Sequence, residues 1–229
     1  MPIRVSSRRR SAASLAAAFP GAEIVDVTSK GPEPWVRLSP FHPHGGIPVP
    51  FCEDLTSQSV EGIWQGLKVF EHTGVDLARL GITSMKGLKR TVRRYGPALG
   101  HRAGPYGDRL LSYEAARRAI YLPAYRWVLE HRTADLVERL RGMGDVVLLD
   151  YTTNGDVTDL STPLSHAALI RLHIEGGWPL EGESLPSEGA QDAPGIAAGV
   201  RGLAGEDRVH LPAEGEARGL AAADDPPAG

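Results

Sequence analysis

The sequence predicts a mainly helical α+β fold, a compact single domain with a small sheet. Two short segments, residues 22–27 and 146–151, show the alternating or continuously apolar pattern of β-strands. Longer segments between and after them carry apolar residues at helical spacing. After Trp178 the chain is rich in Pro, Gly, Ala, Glu and Asp and contains no further aromatic residue, so we expect the folded part to end there.

The composition describes an ordinary globular chain. Its 229 residues suffice for one well-buried domain. A net charge of -3 gives no overall signature of nucleic-acid binding, so an anionic ligand must meet a local patch. The single cysteine, Cys52, excludes an intramolecular disulfide and favours a cytoplasmic protein. No run of about 18 apolar residues occurs, so we expect no membrane span.

Three parts are expected along the chain. Residues 1–21 form an N-terminal segment, in which residues 11–19 favour an amphipathic helix over a signal peptide. Residues 22–178 form the domain. Residues 179–229 cannot bury enough apolar surface to offset the entropy of ordering, which predicts a disordered tail.

The first half of the domain begins with two short strands. Residues 22–27 alternate apolar and polar side chains, and a second strand is expected over residues 35–38. A loop rich in Pro and Gly follows over residues 39–50. Ser59 then has the character of a helix N-cap, and the apolar residues after it predict a helix over about 59–72.

The second half alternates helices with one strand. Pro123 is expected to kink or divide a long helix. An apolar run before an acidic loop is typical of a buried strand. The helices are predicted over residues 84–94, 112–130, 133–141 and 163–175, the strand over 146–151 and the loop over 152–162.

The helix at residues 59–72 carries the most informative pattern. Glu61, Gln65 and Lys68 lie at positions i, i+4 and i+7, which places them on one helical face. A solvated face would give the same pattern. However, Gly62 and Gly66 each weaken a helix by roughly 1 kcal/mol, which indicates close approach of a ligand or of another backbone. This face is therefore a candidate site.

A basic segment follows. In a helix over residues 84–94, four cationic side chains share one stripe, which is commonly a solvated face. In an acidic chain the same stripe is a place where a phosphate can be held by charge-assisted hydrogen bonds. The stripe contains Lys86, Arg90, Arg93 and Arg94, and Arg102 in the next loop is a further candidate.

The acidic loop is the third candidate. Asp150, Asn154, Asp156 and Asp159 follow an apolar strand, and sites are often mounted on loops at strand ends. Their spacing does not match an EF-hand calcium loop. Asx-turn chemistry explains the same residues as well as a catalytic role does.

No metal site is expected. His42 and His44 lie in a loop without an acidic or cysteine partner at metal-ligand spacing, and His166 and His173 are seven residues apart on a predicted helix. Phosphate-binding glycine loops and the nucleophile-elbow motif are also absent from the sequence.

The order of these motifs resembles that of the NADAR family, which is known through its riboflavin-intermediate N-glycosidase members. The chain is similar to a branch of that family found in actinobacteria and phages. The family pattern Ser-Glu-x-x-x-Gln-x-x-Lys is matched in spacing by Glu61, Gln65 and Lys68. The serine is displaced by one position, since Val60 follows Ser59. The segments over residues 127–131 and 136–150 resemble the second part of the family pattern, but residues 156–160 contain no Trp where the family has Asp-x-x-Trp-Gly.

The resemblance spans about residues 22–175 and implies a NADAR-like fold. It also implies an N-glycosidase-like hydrolase that cleaves the N-glycosidic bond of a ribosyl- or ADP-ribosyl-type substrate. The expected partner is a phosphorylated ribosyl small molecule or ADP-ribosylated nucleic acid, with no cofactor.

Such a reaction builds positive charge on the ribose, so it needs a carboxylate near the anomeric carbon. We assign this role to Glu61. Lys68 holds a phosphate or ribose oxygen, or attacks the opened sugar as an amine. Asp156 or Asp159 supplies a second carboxylate. Substrate binding is assigned to Gln65, Arg90, Arg94, Arg102 and Asn154.

Two alternative functions belong to other classes of protein. In the first, the chain is a non-catalytic nucleotide- or nucleic-acid-binding module that uses the basic helix 84–94, and Glu61 only pairs with Lys68. In the second, it is a structural phage or host interaction protein, with the acidic tail as a tether.

Overall fold

Strands form three small sheets in the computed structural model, which describes residues 2–179. One sheet is parallel and the other two are antiparallel. The strands of the described region are β1 (Ile3–Ser7), β2 (Glu23–Asp26), β3 (Ile47–Val49), β4 (Cys52–Ser57), β5 (Lys68–Phe70), β6 (Ala98–Arg102), β7 (Leu110–Leu111) and β8 (Val146–Asp150).

The parallel sheet has the order β1-β8-β2, so its central strand is the last of the three in the chain. Every residue of β8 is buried, as expected for a central parallel strand. The second sheet is the β3–β4 hairpin, and the third has three strands in the order β5-β6-β7.

Seven α-helices lie among the described residues, together with short 3-10 helices over Trp35–Leu38 and Leu77–Gly81. A π-helical turn over Arg117–Tyr121 joins the fourth and fifth helices. The helices are α1 (Ala12–Ala18), α2 (Val60–Leu67), α3 (Val92–Tyr95), α4 (Tyr113–Ala116), α5 (Leu122–His131), α6 (Ala134–Gly142) and α7 (His166–Glu175). The predicted mainly helical α+β domain is confirmed.

The main hydrophobic core lies between α2, α5, α7 and the parallel sheet. On the other face of that sheet, Leu15 of α1 packs against Val147 and Leu149 of β8. The N-terminal segment 1–21 therefore contributes β1 and α1 to the same folded unit as residues 22–178. The predicted disordered tail falls almost entirely on residues 180–229, outside the described residues.

Several predicted elements are confirmed, with boundaries shifted by a few residues. They are the strands at 22–27 and 146–151 and the helices at 133–141 and 163–175. The long helix at 112–130 is also present and is interrupted by the π-helical turn just before Pro123. Pro123 has no N–H to donate to the preceding turn, which explains why the interruption falls there.

Several predictions about secondary structure are wrong. The loop predicted over residues 39–50 contains strand β3, which pairs with β4. Residues 35–38 form a 3-10 helix instead of a strand, because a single turn buries Trp35, Val36 and Leu38 together. The helix predicted over 59–72 ends at Leu67, and the chain continues as β5.

A further error concerns the basic segment. The predicted helix 84–94 is absent apart from the single turn of α3, and Gly87 has a φ of 74°, which breaks helical geometry. The side chains of its predicted stripe are therefore separated: Arg90 is buried, whereas Lys86, Arg93 and Arg94 are exposed.

A buried ion pair lies at the carboxyl end of β8. Nδ1 of His166 is 2.9 Å from Oδ2 of Asp150, and Nε2 of His166 is 2.9 Å from the carbonyl oxygen of Val27. A carbonyl only accepts, so both ring nitrogens carry protons when Asp150 is ionised. Burial alone would lower the pKa of His166, but the charge and hydrogen bond of Asp150 raise it above its ordinary value. Burial likewise opposes the ionisation of Asp150, yet His166 and Ser165 lower its pKa.

This pair predicts a pH-dependent stability. The contribution of His166 is complete below its unfolded pKa, about 6.5, and is lost as the pH rises through its higher folded value. The contribution of Asp150 is lost only in acid, as the pH falls through its lowered folded pKa. Urea titrations between pH 5 and 9 should show the free energy of unfolding fall towards alkaline pH.

The variant His166→Gln is the matched control. Its free energy of unfolding should be about 3 kcal/mol lower than that of the wild type, since the substitution leaves a buried carboxylate without its cation. The fall of this free energy towards alkaline pH should disappear in the variant. A wild-type stability that stays level over this range would contradict a cationic His166.

Candidate active site

Helix α2 lies inside the domain and carries polar side chains into it. The hydroxyl of Ser59 accepts a hydrogen bond from the Gly62 N–H at 3.0 Å, which caps the helix start. All eight residues of α2 are buried. The candidate face identified in the sequence is therefore not a solvated face.

The buried polar face, which we call the Glu61 face, consists of Glu61, Gln65 and Lys68. These residues are only 7%, 6% and 5% exposed. Nε2 of Gln65 donates to Oε1 of Glu61 at 2.9 Å. Burial raises the pKa of Glu61, while the charges of Lys89 and Lys68 and the Gln65 hydrogen bond act in the opposite direction without cancelling it. Glu61 therefore keeps its proton to a higher pH than an exposed glutamate, as a carboxyl group suited to proton transfer does.

Arg90 holds this face in place. Its backbone N–H donates to Oε1 of Gln65 at 3.0 Å. Its guanidinium donates to the carbonyl oxygens of Gln65 at 3.1 Å, Lys68 at 2.7 Å and Gly74 at 2.7 Å. These bonds satisfy carbonyl groups at the end of α2 and fix the side-chain amide of Gln65 so that its NH2 group faces Glu61. Arg90 thus serves to position the site, and its donors are directed to backbone instead of to a phosphate.

Strand β6 places a histidine beside the same face. His101 lies directly opposite Lys68 in the β5–β6 ladder, so both side chains lie on one side of that sheet. The ring of His101 lies 3.8 Å, centre to centre, from that of Trp64. Trp64 and Tyr121 are packed edge to face with a centre separation of 5.6 Å.

Lys89 is an exposed cation whose charge acts on the carboxyl group of Glu61. Its charge is the strongest of those that lower the pKa of Glu61. Its Nζ lies 5.7 Å from the ring centre of Phe41. The neighbouring Pro40 carbonyl accepts from the Glu61 N–H at 2.9 Å, so the loop that precedes β3 borders the site.

Sequence reasoning did not assign a role to Lys89 or His101. Lys89 does not lie on the cationic stripe of the predicted basic helix. His101 can be recognised as the cross-strand partner of Lys68 only once residues 68–70 are known to form a strand. The sequence gives no local signal for this role of Lys89, because Lys89 and Arg90 are both cationic and only the structure shows that one is exposed and the other buried.

The acidic loop has a structural explanation for most of its polar groups. Oδ1 of Asp156 accepts from the N–H and hydroxyl of Thr158, both at 2.8 Å. Oδ1 of Asp159 accepts from the N–H and hydroxyl of Ser161 at 2.9 and 2.6 Å. These hydrogen bonds lower the pKa of both aspartates, which are exposed.

Two further side chains fasten this loop. Nδ2 of Asn154 donates to the carbonyl oxygens of Asp159 and Thr162 at 2.9 and 3.2 Å. The buried guanidinium of Arg117 donates to carbonyl oxygens of residues 157, 159 and 162. Asn154 thus shapes the loop, and the hydrogen bonds of the loop carboxylates belong to turns and not to the Glu61 face.

The other two predicted phosphate ligands lie at the surface. Arg94 is exposed, with its guanidinium carbon 5.2 Å from the ring centre of Tyr95. Arg102 is partly exposed and donates to the carbonyl oxygen of Asp108.

The candidate site is therefore a buried face of Glu61, Gln65 and Lys68 in an α+β domain. The model of DUF6939, a family of unknown function, matches residues 7–170, and the chain belongs to that family. The match includes every residue of the Glu61 face, as well as Arg90 and His101. A comparison with curated proteins found no match.

Two negative findings apply to residues 2–179. Within this range no helix combines the length and apolar character that crossing a bilayer requires. The same residues contain no group of three or more His, Cys, Asp or Glu side chains that could hold a metal ion.

The two glycines of α2 differ in their surroundings, and this difference is testable. A Cβ on Gly62 would lie 2.8 Å from the carbonyl oxygen of Arg79, whereas one on Gly66 would have only ordinary contacts, the nearest at 3.4 Å. Gly62→Ala should destabilise the fold by about 1–3 kcal/mol. Gly66→Ala should be neutral or stabilise by up to about 1 kcal/mol, since alanine favours a helix. Thermal unfolding of both variants tests the pair, and equal effects would contradict the backbone approach at Gly62.

Proposed function

We propose that this protein is an N-glycosidase-like hydrolase that cleaves the N-glycosidic bond of a ribosyl- or ADP-ribosyl-type substrate. The observation that carries the proposal is the buried carboxyl of Glu61, with its raised pKa, next to Gln65 and Lys68. Leaving polar groups of this kind in a core opposes folding, so their presence on one face favours a chemical role. The resemblance of their spacing to the NADAR pattern supports the same reaction.

The raised pKa of Glu61 suits it to transfer a proton during bond cleavage. In this scheme the bond between the anomeric carbon and the base nitrogen breaks, and the protonated Glu61 gives its proton to the leaving base. A water oxygen then bonds to the anomeric carbon, and the carboxylate of Glu61 accepts the proton that this water loses. The same carboxylate stabilises the positive charge that develops on the ribose.

The other residues take roles that follow from their surroundings. Lys68 holds a phosphate or ribose oxygen, and Lys89 at the exposed edge of the site attracts the anionic part of the substrate. Gln65 and Arg90 orient Glu61. No step requires Asp156 or Asp159, because Glu61 both donates and recovers the proton.

The substrate class that fits is a phosphorylated ribosyl small molecule or ADP-ribosylated nucleic acid, and the reaction needs no cofactor. The proposal places the protein in the cytoplasm, where such nucleotides occur, in keeping with its single cysteine. The nucleic-acid-binding alternative has less support, since the basic helix on which it relies is not formed.

Substitution of Glu61 tests the reaction. Purified protein is incubated with a panel of ribosylated small molecules and ADP-ribosylated nucleic acid, and release of base or ADP-ribose is measured. We expect Glu61→Gln to lower the rate by about 10²–10⁴, the usual contribution of a positioned acid or base. The exposed Glu53, on the β3–β4 hairpin, gives the matched control Glu53→Gln, which should leave the rate unchanged.

Two results together would contradict the proposal. If no substrate releases a base, and salt-sensitive binding of nucleic acid persists in both variants, the binding module replaces the hydrolase.

The pH dependence of kcat/KM gives a separate prediction. Because Glu61 acts in its protonated form and burial raises its pKa, activity should be level in acid and fall as the pH rises through that raised value. Lys89→Met removes a charge that lowers the pKa of Glu61, so the fall should move to higher pH. A shift to lower pH would contradict the assignment of Glu61.

A further inference from the structure

We propose that His101 is a substrate-contacting residue whose neutral imidazole hydrogen-bonds the hydroxyl groups of the ribose beside Lys68. The identity of the sugar rests on the proposed function. The placement of His101 in the site rests on the geometry of β5, β6 and α2.

The first observation is the state of the two ring nitrogens. His101 is 0% exposed, and neither Nδ1 nor Nε2 has a hydrogen-bond partner within residues 2–179. Buried polar groups are nearly always paired, since leaving one unpaired costs free energy. His166 in the same domain follows that rule, because Asp150 and Val27 bond its two nitrogens. Neither nitrogen of His101 has such a partner among residues 2–179, so both are available to bond a ligand.

The second observation is its position relative to the Glu61 face. Lys68 lies opposite His101 across the β5–β6 ladder. Trp64, three residues after Glu61 on the same helical stripe, lies against the ring of His101 at 3.8 Å. Two independent elements, a strand pairing and a helix contact, thus place His101 next to the proposed reaction.

The third observation concerns the kind of ligand group that fits. Burial first, and then the charge of Lys68, lower the pKa of His101 well below its ordinary value, so the ring is neutral at physiological pH. A neutral imidazole offers one donor and one acceptor, which matches hydroxyl groups, since these also donate and accept. A phosphate accepts only and would leave one ring nitrogen without a partner.

The test uses the full chain and ADP-ribose as the probe. His101→Phe keeps an aromatic ring against Trp64 and removes both nitrogens. We expect the ligand-free variant to melt at the same temperature as the wild type or higher, because two unpaired polar groups are removed. By calorimetry, its affinity for ADP-ribose should fall at least 10-fold. Affinity for ADP, which lacks the distal ribose, should be unchanged.

The matched control is His166→Phe, which removes a ring whose two nitrogens are paired and should lower the melting temperature. A comparable fall in the melting temperature of His101→Phe would mean that His101 has only a structural role in the core, and this would overturn the proposal. Unchanged affinity for ADP-ribose in His101→Phe, or no binding by the wild type at millimolar ADP-ribose, would also overturn it.

A measurement on the unsubstituted protein covers the case in which His101→Phe does not fold. The ring ¹⁵N resonances of His101 should shift when ADP-ribose is added, while those of His166 should not. Absence of a shift at saturation refutes the contact. If ADP-ribose binds through His101 but no base is released from any substrate, the hydrolase is refuted and the contact stands.

Discussion

The buried guanidinium of Arg90 is the constraint on which the site depends. It draws together the end of α2, the start of β5 and the loop at Gly74 by hydrogen bonds to three carbonyl groups. Without these bonds the last carbonyls of α2 would be buried without partners, at a cost in free energy. The same residue orients Gln65, and Gln65 orients Glu61. One side chain thus connects the termination of a helix to the environment of a carboxyl group.

The burial of α2 changes the meaning of its sequence pattern. An amphipathic stripe ordinarily separates a core face from a solvated face, but here the polar stripe also lies inside the protein. Ile63 and Leu67 pack in the main hydrophobic core, whereas Gln65 is hydrogen-bonded to both Glu61 and Arg90. Trp64 also belongs to the core and contacts His101 of β6. The buried helix therefore carries hydrogen-bonded polar side chains beside apolar ones.

Local patterns in the sequence were sufficient for the fold class, the central strand β8 and the candidate face of α2. They were insufficient where distant residues decide the conformation. Lys68 becomes a strand residue because Arg90 takes the carbonyls of the preceding turn and β6 pairs with β5. Residues 84–91 have helical spacing but form no helix, since Arg90 is drawn inwards. His101 lacks any local signal, because its importance comes from the partner it faces across a ladder.

The position of β8 between β1 and β2 has a consequence for biosynthesis. Both outer strands are translated early, yet neither can pair until residues 146–150 emerge. At a translation rate of ~5–20 residues per second, the interval between β1 and β8 is on the order of 10 s. During it residues 3–7 and 23–26 lack the sheet partner that they have in the folded domain. The family match, which runs to residue 170, includes β8, the strand that supplies this partner.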